Sequence, residues 1–530
     1  MVRNKSGRKG GEHSLPRKTT PNYVLTLKLD TNNKDEIILD KRFEICRKLY
    51  NAILGLGLKK FNALSELKVY KKLRKELVEI NKLYFKDEES KKSKINDELR
   101  KEKYKELTHL LGEYGINEYS LINKMTLMYK SFNKNIDNKT AQALASRAWK
   151  ALEMLIFKDA QKVNFIRYDE LKSVEGKWNK SGITYRDGII KWNGLKIPVI
   201  IKSNDIYAQK AIQDRIKYCR IVRKNIHGKY NYYVQLIIEG IPPVKYNKET
   251  GDFKKNVGLG DVGIDIGTQT IAISSKYNVK LLELCPEIND IQDIKTKLSR
   301  KLDRQRRANN PNNYNNDGTI KFGIMINGKK KKLTWVKSNK YIKTQIELRD
   351  IQMKQADVRK QSHERLANYI ISLGDRILVE TMNYKGLQKR SKNTTINAKT
   401  GKFNKKKRFG KSISNKAPSK LIEIINRKLK YVKLEILKIN THKVKASQFN
   451  HFTGEYTKKE LKDRWDVSTA IQRDCYSAFL IMNVGNDLET INRELCFRTY
   501  DNFKQLHDYE INRLKILKGN GIKLISSMGI

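Results

Sequence analysis

The sequence predicts a multidomain α/β protein, and three observations carry that expectation. Its 530 residues correspond to roughly three or four domains on length alone. Strand-like and helix-like text come in blocks: an alternating segment, NYVLTLKLD over Asn22–Asp30, precedes a long helical stretch and then a run of short, turn-punctuated strands. Beyond about Asn256, apolar strands and long helices follow one another, as they do when helices cover a sheet.

Taken in order, Asn22–Asp30 alternates apolar and polar residues with the period of a strand. From about Lys34 to Val163 the pattern is helical. Leu64, Leu67, Tyr70, Leu73 and Leu77 recur near a 3.6 period, Ala141–Phe157 continues it, and lysines fill the other faces. The character changes near Asn164. Gly182–Ile201 reads as short strands with turns at Asp187-Gly188 and Asn193-Gly194, and Arg215–Arg223 and Tyr230–Ile238 flank a further turn at Asn225–Gly228; Asn/Asp-Gly pairs between apolar runs are strong hairpin signals. The whole predicts a small β-domain whose first strand precedes the helical insertion. Further on come two strands over Val262–Ser275, a basic helix around Ile291–Arg307, an Asn-rich loop, the Lys329–Lys332 run read as a solvated loop, and a long helix from about Tyr341 to Leu373. Leu387–Lys416 reads as a polar, basic loop.

Lys and Arg number 110 against 57 Asp and Glu, a net charge of +53. With 39% hydrophobic and 9% aromatic residues, the chain is too apolar for a disordered polycation, so a folded surface carries the excess and calls for a polyanion to neutralise it. That makes an ordinary cytosolic metabolic enzyme a poor candidate. No apolar run reaches the roughly 18 residues a spanning helix needs, and Met1–Thr20 is basic without an apolar segment; it reads as a disordered arm rather than a secretory signal. The five cysteines, Cys46, Cys219, Cys285, Cys475 and Cys496, are scattered with no CxxC, which fits free thiols in a reducing cytosol. Trp178, Tyr185, Trp192, Tyr218, Tyr230, Tyr232 and Tyr233 are interleaved with Lys and Arg, among them Arg186, Arg220 and Arg223. Such interleaving suits base stacking and phosphate contact, although for any one of these aromatics a core position is the favoured reading. Lys297, Arg300, Lys301 and Arg304 share a broad helix face and form a second candidate track for nucleic acid.

Three segments could do chemistry. Val262–Ala272, VGIDIGTQTIA, places Asp265 near the end of an apolar strand; Arg376–Asn383, RILVETMN, places Glu380 at the end of another; Ala470–Leu480, AIQRDCYSAFL, reads as a helix with Asp474 and Ala478 on one face. The small Ala478 lets that face sit close to a sheet. Carboxylates in apolar strands are costly without a cation or donors, and an oxygen-rich trio is the ligand set that hard cations such as Mg²⁺ prefer. Two such ions can clamp an in-line phosphodiester displacement. The first segment also resembles the phosphate-binding opening of the sugar kinase and actin superfamily, but no Gly-rich adenosine segment follows, and a kinase does not account for the charge.

With those residues in hand, the chain resembles the TnpB family of transposon-encoded RNA-guided DNA endonucleases and the miniature type V CRISPR effectors. Their RuvC-like motifs occur in this order, and here they are similar to Gly263–Gly267, Leu378–Asn383 and Arg473–Ala478. The resemblance implies an RNase H-like (RuvC) nuclease domain split in sequence over 257–445 and 464–530. It further implies a β-barrel-like wedge domain over 23–33 and 160–256, an α-helical recognition lobe over 34–159, and a basic arm over 1–22. It implies catalysis and metal binding by Asp265, Glu380 and Asp474 with two Mg²⁺, Mn²⁺ as substitute, in a guide RNA and target DNA complex of one or two protein copies in a prokaryotic cytosol, with no membrane. Lys405, Lys406 and Arg408, in a basic segment over Lys389–Lys411, are candidates for a lid over the cleft. Where the family carries a CxxC…CxxC zinc element, this chain has ASQFNHFTGEY over Ala446–Tyr456. Tetrahedral zinc needs about four N or S ligands, and the region supplies His442 and His451, so a degenerate, zinc-free insert over 446–463 is expected. A guided DNA-binding repressor or transposon accessory that never cuts, and a strand-transferring transposase, share the same electrostatic footprint.

Overall fold

The computed structural model describes residues 20–85, 94–158, 160–243, 257–326, 329–390, 393–397, 401, 409–458, 460, 463–466 and 469–530. Lys405, Lys406 and Arg408 lie outside them, as does most of the basic arm. The chain divides into two compact units, Met1–Pro243 and Val244–Ile530, fewer than length alone suggests.

In the first unit, β1 (Asn22–Leu29) is followed by helices α1 (Asn33–Glu66), α2 (Lys68–Tyr84), α3 (Lys94–Glu113), α4 (Glu118–Met128) and α5 (Asn138–Phe157). The chain continues through β2 (Ser173–Glu175), β3 (Thr184–Arg186), β4 (Ile189–Trp192), β5 (Leu195–Ile200), α6 (Ile206–Ala211), β6 (Ile216–Ile226) and β7 (Lys229–Glu239). The strands form one antiparallel sheet in the order β2-β6-β7-β1-β5-β4-β3. In β1, Tyr23, Leu25, Leu27 and Leu29 all point inward, as the alternation requires. Three two-residue turns, Asp187-Gly188, Asn193-Gly194 and His227-Gly228, hold both residues at positive φ, the type I′ geometry that matches strand twist. Across the curled sheet Asn179 bridges distant strands: its Oδ1 accepts from Tyr185 of β3 at 2.8 Å and from Cys219 of β6 at 3.3 Å.

Helices and sheet share one unit because buried polar bonds tie them. Arg42 of α1 donates to the Trp192 and Asn193 carbonyls, its guanidinium lies 5.0 Å from the Trp192 ring, and the indole Nε1 donates to Asp137 at 3.1 Å. Arg223 pairs with Asp40 at 2.9 Å and Asp169 at 3.1 Å, between the rings of Phe43 and Tyr230.

The second unit contains β8 (Asp261–Ile266), β9 (Thr270–Ser275), β10 (Val279–Glu283), α7 (Asn289–Asn309), β11 (Ile324–Ile326), β12 (Lys329–Lys331) and α8 (Asn339–Leu373). It continues with β13 (Arg376–Glu380), α9 (Tyr384–Leu387), α10 (Gly410–Lys416), α11 (Pro418–Lys430), β14 (Leu437–Ile439), α12 (Thr441–Val444), β15 (Trp465–Asp466), β16 (Ile471–Gln472), α13 (Arg473–Met482) and α14 (Arg493–Gly519). The lysine run is a strand rather than a loop, since β12 pairs antiparallel with β11. The five-stranded sheet runs β10-β9-β8-β13-β14; the first three strands are antiparallel, and β13 and β14 are parallel to β8. One face packs Val262, Ile264, Ile266, Ile377 and Val379 against the end of α8 and against α11. The other packs Ala272, Leu281, Leu378 and Ile439 against α13 and α14. Glu510 pins α14 to the edge strand: its buried carboxylate accepts from Lys280 and Arg513 and from the Leu281 amide at 3.2 Å. Among the described residues, no helix is long and apolar enough to cross a membrane.

Candidate active site: three carboxylates on one sheet face

Residues alternate between the faces of β8. Val262, Ile264 and Ile266 enter the α8–α11 core, which leaves Gly263 and Asp265 on the face covered by α13. Gly263 sets how close that helix comes. A Cβ there would stand 2.0 Å from the Ala478 carbonyl oxygen and 2.4 Å from the Met482 nitrogen, so only glycine admits this approach. Because Ala478 and Met482 lie over Gly263, Asp474, one helical turn earlier, is carried toward Asp265.

Glu380 arrives by strand register. Leu378 belongs to the α13-side core while Ile377 and Val379 belong to the other, so Glu380, two residues on, shares the face of Leu378. The parallel pairing runs from Arg376 opposite Asp261 to Val379 opposite Ile264. The next step brings Glu380 alongside Asp265 at the usual strand spacing of about 4.8 Å. Three carboxylates from three distant segments thus meet on one face. Burial first, and then the charges of Asp474 and Glu380, push the Asp265 carboxyl well above the usual range, only partly offset by Arg473 and Arg464. Burial also raises Glu380.

Both ends of α13 are fixed. At its C-terminus Arg376 pairs with Asp261 at 3.0 Å and donates to the Val484 and Gly485 carbonyls. At its N-terminus the Gln472 side chain accepts from the Cys475 amide at 2.8 Å, and the Arg473 amide donates to the Arg464 carbonyl at 2.9 Å. The helix therefore begins at Arg473, not Ala470, because Ile471 and Gln472 are paired with Asp466 and Trp465.

Among the described residues, no three His, Cys, Asp or Glu side chains stand at ready-made metal-ligand spacing. Asp474 instead faces two guanidinium groups, Arg464 at 3.7 Å and Arg473 at 3.9 Å. The donor chemistry nevertheless fits a hard divalent cation: three carboxylates crowd their charge into a largely enclosed place, and Mg²⁺ or Mn²⁺ is the natural counter-charge for all-oxygen ligands.

No protein-family model matches the chain, and no curated protein matches it. The chain is similar to solved Cas12f structures. One is a Cas12f1–sgRNA–target DNA complex, at 11% identity and a TM-score of 0.39, covering 88% of this chain and 99% of that one. Another is a CRISPR-Cas12f ternary complex, at 13% identity and a TM-score of 0.24, covering 86% of each chain.

The remaining sequence-predicted residues divide into two groups. Trp192 is fully enclosed and Tyr185 nearly so; they belong to the core of the curled sheet and do not present a stacking surface. Arg223 is 4% exposed and paired with two aspartates, and Arg220 donates to Glu175 and Gln235, so both guanidinium groups serve the sheet. Trp178 is 45% exposed with Lys139 over its ring at 5.0 Å, and Arg186 is exposed. Lys297, Arg300, Lys301 and Arg304 are all exposed along α7.

His442, on α12 just before the insert, is exposed, and His451 within the insert is buried. The His451 Nδ1 lies 2.6 Å from the Tyr476 hydroxyl, and its ring is enclosed by Phe452, Phe479, Phe497 and Tyr500. Sequence reasoning missed Arg464, which sits in no recognisable motif, and Tyr384, a half-buried phenol whose pKa is raised by desolvation first and then by the Asp265 charge.

Proposed function

We propose that the chain is an RNA-guided DNA endonuclease that hydrolyses phosphodiester bonds at a RuvC-like site. The observation that carries this reading is the convergence of Asp265, Glu380 and Asp474, on β8, β13 and α13, with the Asp265 carboxyl pushed up by burial first and then by the charges of the other two. The strand order, with a central first strand flanked by an antiparallel pair and two parallel strands, supports an RNase H-like nuclease domain. The curled sheet and the helices inserted after β1 support a wedge domain with a recognition lobe. RNA guidance rests on the motif resemblance, and the charge of +53 suits a large polyanionic partner.

Asp265, Glu380 and Asp474 would hold Mg²⁺, with Mn²⁺ as a substitute. Metal held there would supply activation of a water and charge stabilisation of the departing oxygen. The chain's own residues supply the setting. Gly263 and Arg376 hold α13 so that Asp474 meets the strand-end carboxylates. Arg464 and Arg473 bring positive charge to the edge of the trio, where a phosphodiester's charge needs stabilising. The exposed face of α7 supplies phosphate contacts that carry no sequence information.

Asp265→Ala, Glu380→Ala and Asp474→Ala are each expected to abolish Mg²⁺-dependent DNA cleavage while the purified protein keeps its RNA. Substantial cutting by the Asp265 variant would end the assignment. A second reading, a guided DNA-binding protein that does not cut, is favoured by the pairing of Asp474 with two arginines. Cleavage that EDTA stops and Mg²⁺ restores separates the two.

A further inference from the structure

Helix α13 carries Asp474 two residues after its cap, so whatever fixes Gln472 fixes that carboxylate. The Gln472 side chain is occupied at both ends: Oε1 accepts from the Cys475 amide and Nε2 donates to the Met528 carbonyl at 3.2 Å. Its backbone N–H faces the interior and donates to Nε2 of His507 on α14, at 3.0 Å. His507 is 1% exposed, with Trp465 and Phe503 beside its ring.

A nitrogen that accepts carries no proton, so the imidazole proton resides on Nδ1. That atom lies 2.9 Å from Asp508 Oδ1, and Asp508 is gripped through both oxygens by Lys504 at 2.6 Å. The chain Lys504–Asp508–His507–Gln472 therefore selects one neutral tautomer and aims its lone pair at the backbone N–H of the residue that caps α13. Burial also lowers the basicity of His507, in keeping with the neutral form. Networks that orient a ligand-bearing element without touching the ligand are a recognised way to tune a site.

We propose that His507 is a positioning residue for Asp474, acting through the Gln472 peptide and oriented by Asp508. It makes no contact with the carboxylate trio. Its task is to supply an acceptor where α13 begins, so that the helix starts at Arg473 and Asp474 is held in place. The inference rests on the nuclease reading above.

The test compares three substitutions in the full chain with its copurified RNA. His507→Gln puts a carbonyl oxygen near the Nε2 position and preserves the acceptor; His507→Asn falls short of it; His507→Leu fills the space without any acceptor. Losing such an outer contact costs about 10- to 100-fold in metal affinity or activity. We therefore expect His507→Leu and His507→Asn to lower kcat for DNA cleavage by about tenfold, with KM for DNA within about twofold, because an interaction that positions a reacting group affects kcat. Mn²⁺ affinity, measured by calorimetry without DNA, should weaken in the same two variants, and His507→Gln should recover both quantities.

If His507→Leu does not fold, the Gln and Asn pair still decides. Equal kcat and equal Mn²⁺ affinity for those two, or wild-type values for Leu, would overturn the role of His507. Asp474→Ala is run alongside. Cleavage by that variant overturns the nuclease reading itself, whereas a silent Asp474→Ala with an unaffected His507→Leu overturns only the inference drawn here.

Discussion

Replacing Gly263 with alanine tests the packing that brings the carboxylates together. The added Cβ would meet the Ala478 oxygen at 2.0 Å, the Met482 nitrogen at 2.4 Å and the Met482 Cα at 2.8 Å. All three are backbone atoms of α13, so no side-chain rotation relieves the clash. Opening the shortest gap to 3.0 Å, a distance below which real Cβ contacts essentially do not occur, moves the helix about 1 Å off the sheet, on the scale at which overpacking costs about 1–3 kcal/mol. Asp474 moves with it. A misplacement of that size can reduce a rate by about 100-fold, so single-turnover cleavage at saturating Mg²⁺ should fall on that order, the melting temperature should drop, and copurified RNA should be unchanged. Gly519→Ala, where the new methyl meets nothing within 4 Å beyond its own helix turn, is the control and should behave as wild type. A Gly263→Ala protein that cuts and melts like the parent would refute the claim that this contact sets the position of Asp474.

Two further outcomes are expected. Burial first, and then Arg493, pushes His451 down to about 4 from an ordinary value near 6.5. The unfolded chain therefore binds a proton that the folded chain refuses between those values: the stabilisation is intact above about pH 6.5, declines as pH falls, and is spent near pH 4, at most about 3 kcal/mol in all. Denaturant midpoints between pH 7 and pH 4 should show this slope, and His451→Gln should lack it. Separately, Arg300→Gln with Arg304→Gln should weaken DNA binding and reduce its log–log salt slope by up to about 1.8, whereas Arg223→Gln should lower the melting temperature of its unit and leave that slope alone.

What could be read from the sequence was what local pattern encodes. The alternation of β1, the Asn/Asp-Gly turns and the strand-end carboxylates are short-range signals, and each stands in the structure at its expected place. Burial that depends on distant partners was not readable. Trp192 and Arg223 look like nucleic-acid residues until Arg42, Asp137 and Asp40 arrive from the helical insertion to enclose and pair them. The lysine run has no alternation to reveal a strand, and its partner in the structure is Ile324–Ile326. Arg464 and His507 belong to no motif; they matter because the residue before β15 and the helix α14 bring them to the start of α13.

The interior place of β1 has a consequence for synthesis. Tyr23 pairs with Ile238, so the strand leaves the ribosome about 200 residues before its main partner, a wait of about 10–40 s at ordinary translation speed. During that interval the inserted helices can assemble on their own short-range contacts, while a ribbon with four apolar side chains waits uncovered. Late closure by β7 makes the emerging chain vulnerable to self-association through β1, and slowing elongation between α5 and β6 should worsen aggregation more than the same delay placed after β7.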